Sequence, residues 1–192
     1  MLLTIDVGNT QTVLGLFSGN DLTDHWRIAT VAERTADELA LLVRQFLAVP
    51  GERELLSITG VAISSGVPRV TSELRDMTVL VFGFAPLVIE PGVRTGMPIL
   101  YDNPKEVGAD RIANAVAAYE KYGGPSIVVD FGTANTIEAI SGEGEYLGGA
   151  IFPGIEISMD ALFGRAAALR RVELVAPRQV IGKSTVESIQ SG

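Results

Sequence analysis

The 192-residue sequence contains no cysteine, one histidine and one tryptophan. Without cysteine there is neither a disulfide nor a thiolate zinc site, an absence that fits the cytoplasm. His25 has no second histidine to share a metal with and stands beside Trp26 in a strand-like stretch, so it reads as structural. Basic residues are also few. Fifteen Lys and Arg face 23 Asp and Glu, a formal charge of −8, so no global positive field draws the chain to nucleic acid or anionic lipid. No uncharged run approaches the ~18 residues of a membrane span. The opening residues are apolar only as far as Ile5 before Asp6 interrupts, and no basic residue precedes them, which does not fit a signal peptide. These absences predict a cytoplasmic protein without nucleic-acid or membrane partners.

What is present is a globular composition, 47% hydrophobic and 20% charged, with 21 glycines and nine prolines. Its length suits one large domain or two small ones, with apolar material enough for a core.

The chain is organised around a stretch that occurs twice. Leu2-Leu3-Thr4-Ile5-Asp6-Val7-Gly8-Asn9-Thr10-Gln11-Thr12 opens it, and Ile127-Val128-Val129-Asp130-Phe131-Gly132-Thr133-Ala134-Asn135-Thr136 follows later. Asp6 matches Asp130, Gly8 matches Gly132 and Thr12 matches Thr136. Each copy then runs apolar into a Gly-bearing turn (Ser18 to Asp21; Ser141 to Gly144) and a further extended stretch. Each copy therefore predicts strand, tight turn, strand, hairpin, strand. A glycine turn flanked by Asn and Thr offers backbone N–H groups and side chains to phosphate oxygens. The aspartate would act through a metal ion or water, since it shares the phosphate's sign. An ordinary hairpin uses the same residues, but the repetition favours two loops gripping one nucleotide.

Between the copies the elements alternate. Thr35 with Glu38 forms a capping box, and Leu39, Leu42, Val43, Phe46 and Leu47 recur at helical spacing until Pro50-Gly51. A buried strand is predicted over 58–64, a short helix over 69–77, and strands over 79–82 and 87–89. The order of elements is α/β. The stretch from Glu90 to Asp110 is rich in Gly and Pro, as either a binding loop or a domain linker would be. A helix is predicted over 105–122, opening with Gly108-Ala109-Asp110-Arg111; another is predicted over 155–170. Gly182-Lys183-Ser184-Thr185 looks like the tail of a Walker A motif, but Pro177 stands where its first glycine belongs. Asp130-Phe131-Gly132 is not a protein-kinase signature either, because no His-Arg-Asp loop precedes it. The chain stops at Gly192 inside what reads as a new helix, so the C-terminal part is expected to be missing and some apolar surface left bare.

The paired Asp-x-Gly turns resemble the acetate and sugar kinase/Hsp70/actin superfamily. Within it the sequence is most similar to the type III pantothenate kinases, or Bvg accessory factor family. The markers run in order: Asp6 to Thr10, Glu90 to Gly96, Asp102-Asn103-Pro104, Gly108 to Arg111, Asp130 to Thr133, Gly148 to Ile151 with Pro153-Gly154, and Gly182 to Thr185.

The resemblance implies an α/β fold of duplicated ribonuclease H-like (actin-like ATPase) domains, each a mixed sheet with flanking helices, here 1–104 and 105–192. It implies ATP-dependent phosphorylation of pantothenate, the first step of coenzyme A synthesis. Asp6, Val7, Gly8, Asn9, Thr10, Gln11 and Thr12 would hold the nucleotide phosphates and Mg²⁺, with Gly132 and Thr133 as the second phosphate loop. Asp130 would help bind a monovalent cation, K⁺ or NH₄⁺. Asp110 would be the general base, and Tyr101, Gly108, Ala109 and Arg111 would line the pantothenate pocket. Thr185 would reach that pocket from the second subunit of a homodimer. Another small-molecule kinase of the superfamily, or a non-catalytic nucleotide-binding regulator, remains the alternative.

Overall fold

The computed structural model describes residues 1–48, 57–90, 92–166 and 169–192. The Pro50-Gly51 stop and Pro91 lie outside them. The first repeat folds as expected, into β1 (Leu2–Val7), β2 (Gln11–Ser18) and β3 (Asp21–Ala29). The helix α1 (Ala36–Ala48) and strand β4 (Gly60–Ser65) follow, then helix α2 (Pro68–Phe82) and strand β5 (Leu87–Ile89). These five strands form one sheet in the order β3-β2-β1-β4-β5. Strand β1 runs antiparallel to β2 and parallel to β4, with Asp6 opposite Val13 on one side and Ser64 on the other.

One side of this sheet is a continuous apolar layer. Leu3, Ile5 and Val7 of β1 alternate inward, as the period-2 geometry of a strand requires. They join Val61 and Ile63 of β4, Leu39, Val43 and Leu47 of α1, and Val70, Leu74 and Met77 of α2 in one buried cluster. Each fully buried Leu or Ile contributes ~1.5–3 kcal/mol. The capping box of α1 forms: Glu38 Oε2 accepts from the Thr35 N–H at 2.8 Å, and Thr35 Oγ1 from the Glu38 N–H at 3.4 Å. Trp26 stacks on Phe46 with ring centroids 5.6 Å apart. His25 is exposed beside it on β3.

Helix α2 corrects the sequence reading. The expected strand over 79–82 is its last turn, so the helix is six residues longer than the 69–77 reading. Val79, Val81 and Phe82 have strand propensity, but the buried stripe of Val70, Leu74, Met77 and Thr78 continues at helical spacing to the half-buried Val81 and Phe82, which pack on the same core. Tertiary packing overrides propensity here. Gly83, at φ 78°, closes the helix with its N–H on the Val79 carbonyl at 3.0 Å.

After a single 3₁₀ turn, Pro104–Glu106, comes helix α3 (Ala109–Tyr122). The expected start at Lys105 is therefore too early, because Pro104 and the extended Val107 and Gly108 break the run. The second repeat is β6 (Ser126–Phe131), β7 (Ala134–Ile140) and β8 (Tyr146–Pro153), a three-stranded sheet in that order. Met97, Val107, Ile112, Ala115, Ile140 and Tyr146 form a second core. On alternate residues of β6, Ile127, Val129 and Phe131 are exposed. Helix α4 (Ile155–Arg165) ends five residues before the expected Arg170, at an extended Ala166. Helix α5 (Thr185–Ser191) is capped by Ser184.

The described chain divides into two compact units, residues 1–129 with 136–150, and residues 130–135 with 151–192. Among the described residues no helix is long and apolar enough to cross a membrane.

Candidate active site

The first turn links β1 to β2 at the carboxyl end of β1. Asp6, Gly8, Asn9, Thr10 and Gln11 are exposed, while Val7 and Thr12 are buried and anchor it. The Gly8 N–H donates to the Gln11 carbonyl at 2.9 Å, which closes the turn. Thr30, just past β3, braces it from behind. Its hydroxyl donates to the Gly8 carbonyl at 2.8 Å and meets the Thr12 hydroxyl at 2.8 Å, while its N–H donates to the Thr10 carbonyl at 3.0 Å. Nothing in the sequence marks Thr30, because its role depends on the return of β3.

The second turn is also closed by its glycine N–H, one residue more tightly. Gly132 and Thr133 are exposed between β6 and β7, and the Gly132 N–H donates to the Ala134 carbonyl at 3.2 Å. The brace again comes from the residue that follows the third strand of the repeat. Gly154, past β8, donates its N–H to the Thr133 carbonyl at 3.0 Å. A Cβ at Gly154 would lie 2.1 Å from the Gly132 carbonyl oxygen, so only glycine admits this approach. Asp130 is half-buried at the end of β6.

The start of α3 carries the third group of residues. Asp110 is exposed in the first helical turn, and its Oδ1 accepts the Arg111 N–H at 2.8 Å. Gly108 is the N-cap, and a Cβ there would meet Asp110 Oδ1 at 2.5 Å. Glycine thus leaves the space the carboxylate occupies. Helix α3 packs against β4, the strand beside the Asp6-bearing β1.

Arg111 turns inward, and 7% of it is exposed. Its Nε donates to Glu138 Oε1 at 2.7 Å and its Nη2 to Oε2 at 2.9 Å, a bidentate pair. The Tyr146 hydroxyl donates to the same carboxylate. The rings of Tyr101 and Tyr146 lie 5.9 and 5.8 Å from the guanidinium carbon. Hydrogen bonding to Glu138 raises the Arg111 pKa against the cost of burial. Burial, the largest single influence on Glu138, pushes its carboxyl up. The hydrogen bonds from Arg111, Tyr146 and Thr136 outweigh it and hold the carboxyl below its ordinary value. Burial, and then Glu138, push the Tyr146 phenol up. Neither Glu138 nor Tyr146 is marked in the sequence as a partner of Arg111, 27 residues from Glu138.

The loop after β5 lines a cavity of about 420 Å³ with Arg94, Met97, Lys105 and Ile112, and Tyr101, Asp110 and Arg111 are not in its wall. Thr185 is exposed at the first residue of α5. The Gly182 to Thr185 stretch caps α5: the Ser184 hydroxyl accepts from the Glu187 N–H, and the Lys183 N–H donates to Glu187 Oε2 at 2.9 Å. Among the described residues no three His, Asp or Glu side chains gather as a metal cage. Single carboxylates at the turns, Asp6 and Asp130, suit hard cations that take their remaining oxygens from a phosphorylated ligand and water.

The family model for type III pantothenate kinase matches residues 2–192. The chain is 61% identical over 196 residues to the type III pantothenate kinase of Streptomyces avermitilis, covering all of this chain and 74% of that protein. It is 59% identical to that of Moorella thermoacetica, covering 100% and 75%. A Baf family transcriptional activator from Campylobacter jejuni superposes with a TM-score of 0.56 at 21% identity, over 98% of this chain and 72% of that one. A protein assigned as an N-acetylglucosamine kinase, from Porphyromonas gingivalis, gives 0.50 at 13% identity, over 85% and 55%. These two likenesses concern the α/β fold alone.

Proposed function

The chain belongs to the type III pantothenate kinase family, whose reaction is the ATP-dependent phosphorylation of pantothenate in coenzyme A synthesis, and from that premise we propose how its residues divide the work. Asp110 is the general base for the acceptor hydroxyl. The observation that carries this is its exposed carboxylate at the start of α3, held by the Arg111 N–H over a glycine that leaves it room. Phosphoryl transfer asks mainly for positioning and charge neutralisation, so the base need only orient the hydroxyl and accept one proton.

Val7 to Thr12 form the first phosphate turn, in which Gly8, Asn9 and Thr10 offer donors, and Gly132 with Thr133 form the second. Asp6 holds Mg²⁺ by way of the phosphates, and Asp130 holds a monovalent cation, K⁺ or NH₄⁺. Bound Mg²⁺ supplies neutralisation of the phosphate charge. Tyr101, Gly108, Ala109 and Arg111 shape the pantothenate pocket. Thr185 serves the site of a partner subunit in a homodimer, and the protein works in the cytoplasm. The repeated three-stranded motifs belong one to each of two duplicated halves, 1–104 and 105–192.

The test is mass-spectrometric detection of phosphopantothenate from pantothenate and Mg-ATP, in K⁺ and in Na⁺ alone, for the parent chain and Asp110→Asn. The parent forms product in K⁺ and little in Na⁺. Asp110→Asn loses turnover at least ~100-fold while pantothenate binding is kept. Equal losses of turnover and binding would make Asp110 a binding residue, and equal product in both salts would remove the cation from Asp130.

A further inference from the structure

The Arg111–Glu138 pair has more structure than a pocket-lining arginine requires. Glu138, on β7, is 1% exposed, and its carboxylate receives two hydrogen bonds from Arg111, one from Tyr146 and a further one from Thr136. A buried carboxylate is retained only when paired and hydrogen-bonded, and removing one partner strands the other charge. Glu138 occupies the Nε–Nη2 edge, one of the two edges of the guanidinium that can pair bidentately with a carboxylate. Arg111 adjoins Asp110 in the chain, and its N–H is the donor to Asp110 Oδ1. Whatever fixes the Arg111 side chain therefore fixes the first turn of α3 on which Asp110 stands.

We propose that Glu138 is a positioning residue for the transfer reaction: its buried carboxylate clamps Arg111 to β7 and so sets the place of Asp110 at the start of α3. Tyr146 steadies the clamp by holding one carboxylate oxygen, and Tyr101 packs on the guanidinium from the loop before α3. Arg111 then serves the site mainly as an anchor, with its charge balanced within the protein. This inference rests on Asp110 being the base.

Steady-state kinetics, with calorimetric titration of pantothenate in the presence of a non-hydrolysable ATP analogue, tests it on Glu138→Gln, Glu138→Asp, Tyr146→Phe and Asp110→Asn. Glu138→Gln keeps near-unit stoichiometry and a pantothenate Kd within about threefold, while kcat falls at least about tenfold. Glu138→Asp keeps the charge and recovers much of that loss. Tyr146→Phe removes one of these bonds and falls between the parent and Glu138→Gln. Full kcat in Glu138→Gln, or weakened pantothenate binding with kcat kept, overturns the clamp. If Glu138→Gln does not fold, Tyr146→Phe decides: a lowered kcat at unit stoichiometry supports the clamp, and an unchanged kcat overturns it. Turnover retained by Asp110→Asn overturns the base itself, whereas turnover lost there but kept in Glu138→Gln overturns the clamp alone.

Discussion

The Thr30 hydroxyl donates to the Gly8 carbonyl at 2.8 Å, and this contact, made by the residue that follows β3, shapes the turn that follows β1. In the second repeat Gly154 takes the corresponding place, after β8, with its N–H on the Thr133 carbonyl. Each glycine turn is thus braced from the end of its own three-stranded motif. The brace holds a carbonyl of each turn in place.

Thr30→Val keeps the shape and removes the hydroxyl from both the Gly8 carbonyl and Thr12. A hydrogen bond of this kind is worth roughly 1 kcal/mol, so KM for ATP should rise about fivefold with KM for pantothenate unchanged. Kinetics with each substrate varied separately checks this, and an unaltered KM for ATP would count against the brace.

Gly154→Ala should be far more damaging, because the added Cβ meets the carbonyl oxygens of Gly132 at 2.1 Å and Thr133 at 2.5 Å. Both are backbone atoms, so the second turn must move. Turnover should fall at least ~100-fold. Gly66→Ala is the control, since nothing lies within 4 Å of its Cβ position. Similar activity in the two variants would refute the close-approach argument.

Gly108→Ala acts differently. The obstructed atom is the end of a side chain, Asp110 Oδ1, which can swing aside at little cost to the fold. The expected result is a kcat lowered at least about tenfold with a melting temperature within a few degrees of the parent. Thermal unfolding monitored alongside kinetics distinguishes this from general destabilisation; an unaffected kcat would show that Asp110 does not depend on the gap.

The folded-state pKa of Glu138 is depressed, since its bonds to Arg111, Tyr146 and Thr136 outweigh burial. The sign follows by linkage: the unfolded chain binds a proton first as pH falls. The contribution is therefore complete above the unfolded Glu value of about 4.3 and is lost as pH falls through the lower folded value. Glu138→Gln removes that part of the acid limb. Denaturant unfolding from pH 6 down to pH 3 should show a shallower acid loss in the variant, and parallel curves would contradict the assigned shift.

Much was legible in the sequence because it is local or repeated. The Asp-x-Gly turns, the three-stranded order of each copy and the Thr35–Glu38 cap of α1 follow from turn chemistry and periodicity within a few residues. The ordered motifs from Asp6 to Thr185 carried the family, which the model match and the relatives near 60% identity establish. Other features needed the folded chain. Residues Val79 to Phe82 are helical because Val81 and Phe82 continue the helical spacing of the α2 stripe and pack on the same core, against the strand preference of Val and Phe. Arg111 and Glu138 are 27 residues apart, and only the packing of α3 near β7 makes them one buried pair. Thr30 and Gly154 acquire their roles only when a third strand returns to the turn of the first. The sequence by itself determined which chemical groups this protein carries and the local turns that display them. The tertiary structure decided which buried partners hold those groups still, because burial removes the water that would otherwise satisfy a carbonyl or a carboxylate and leaves only partners from distant chain to do so.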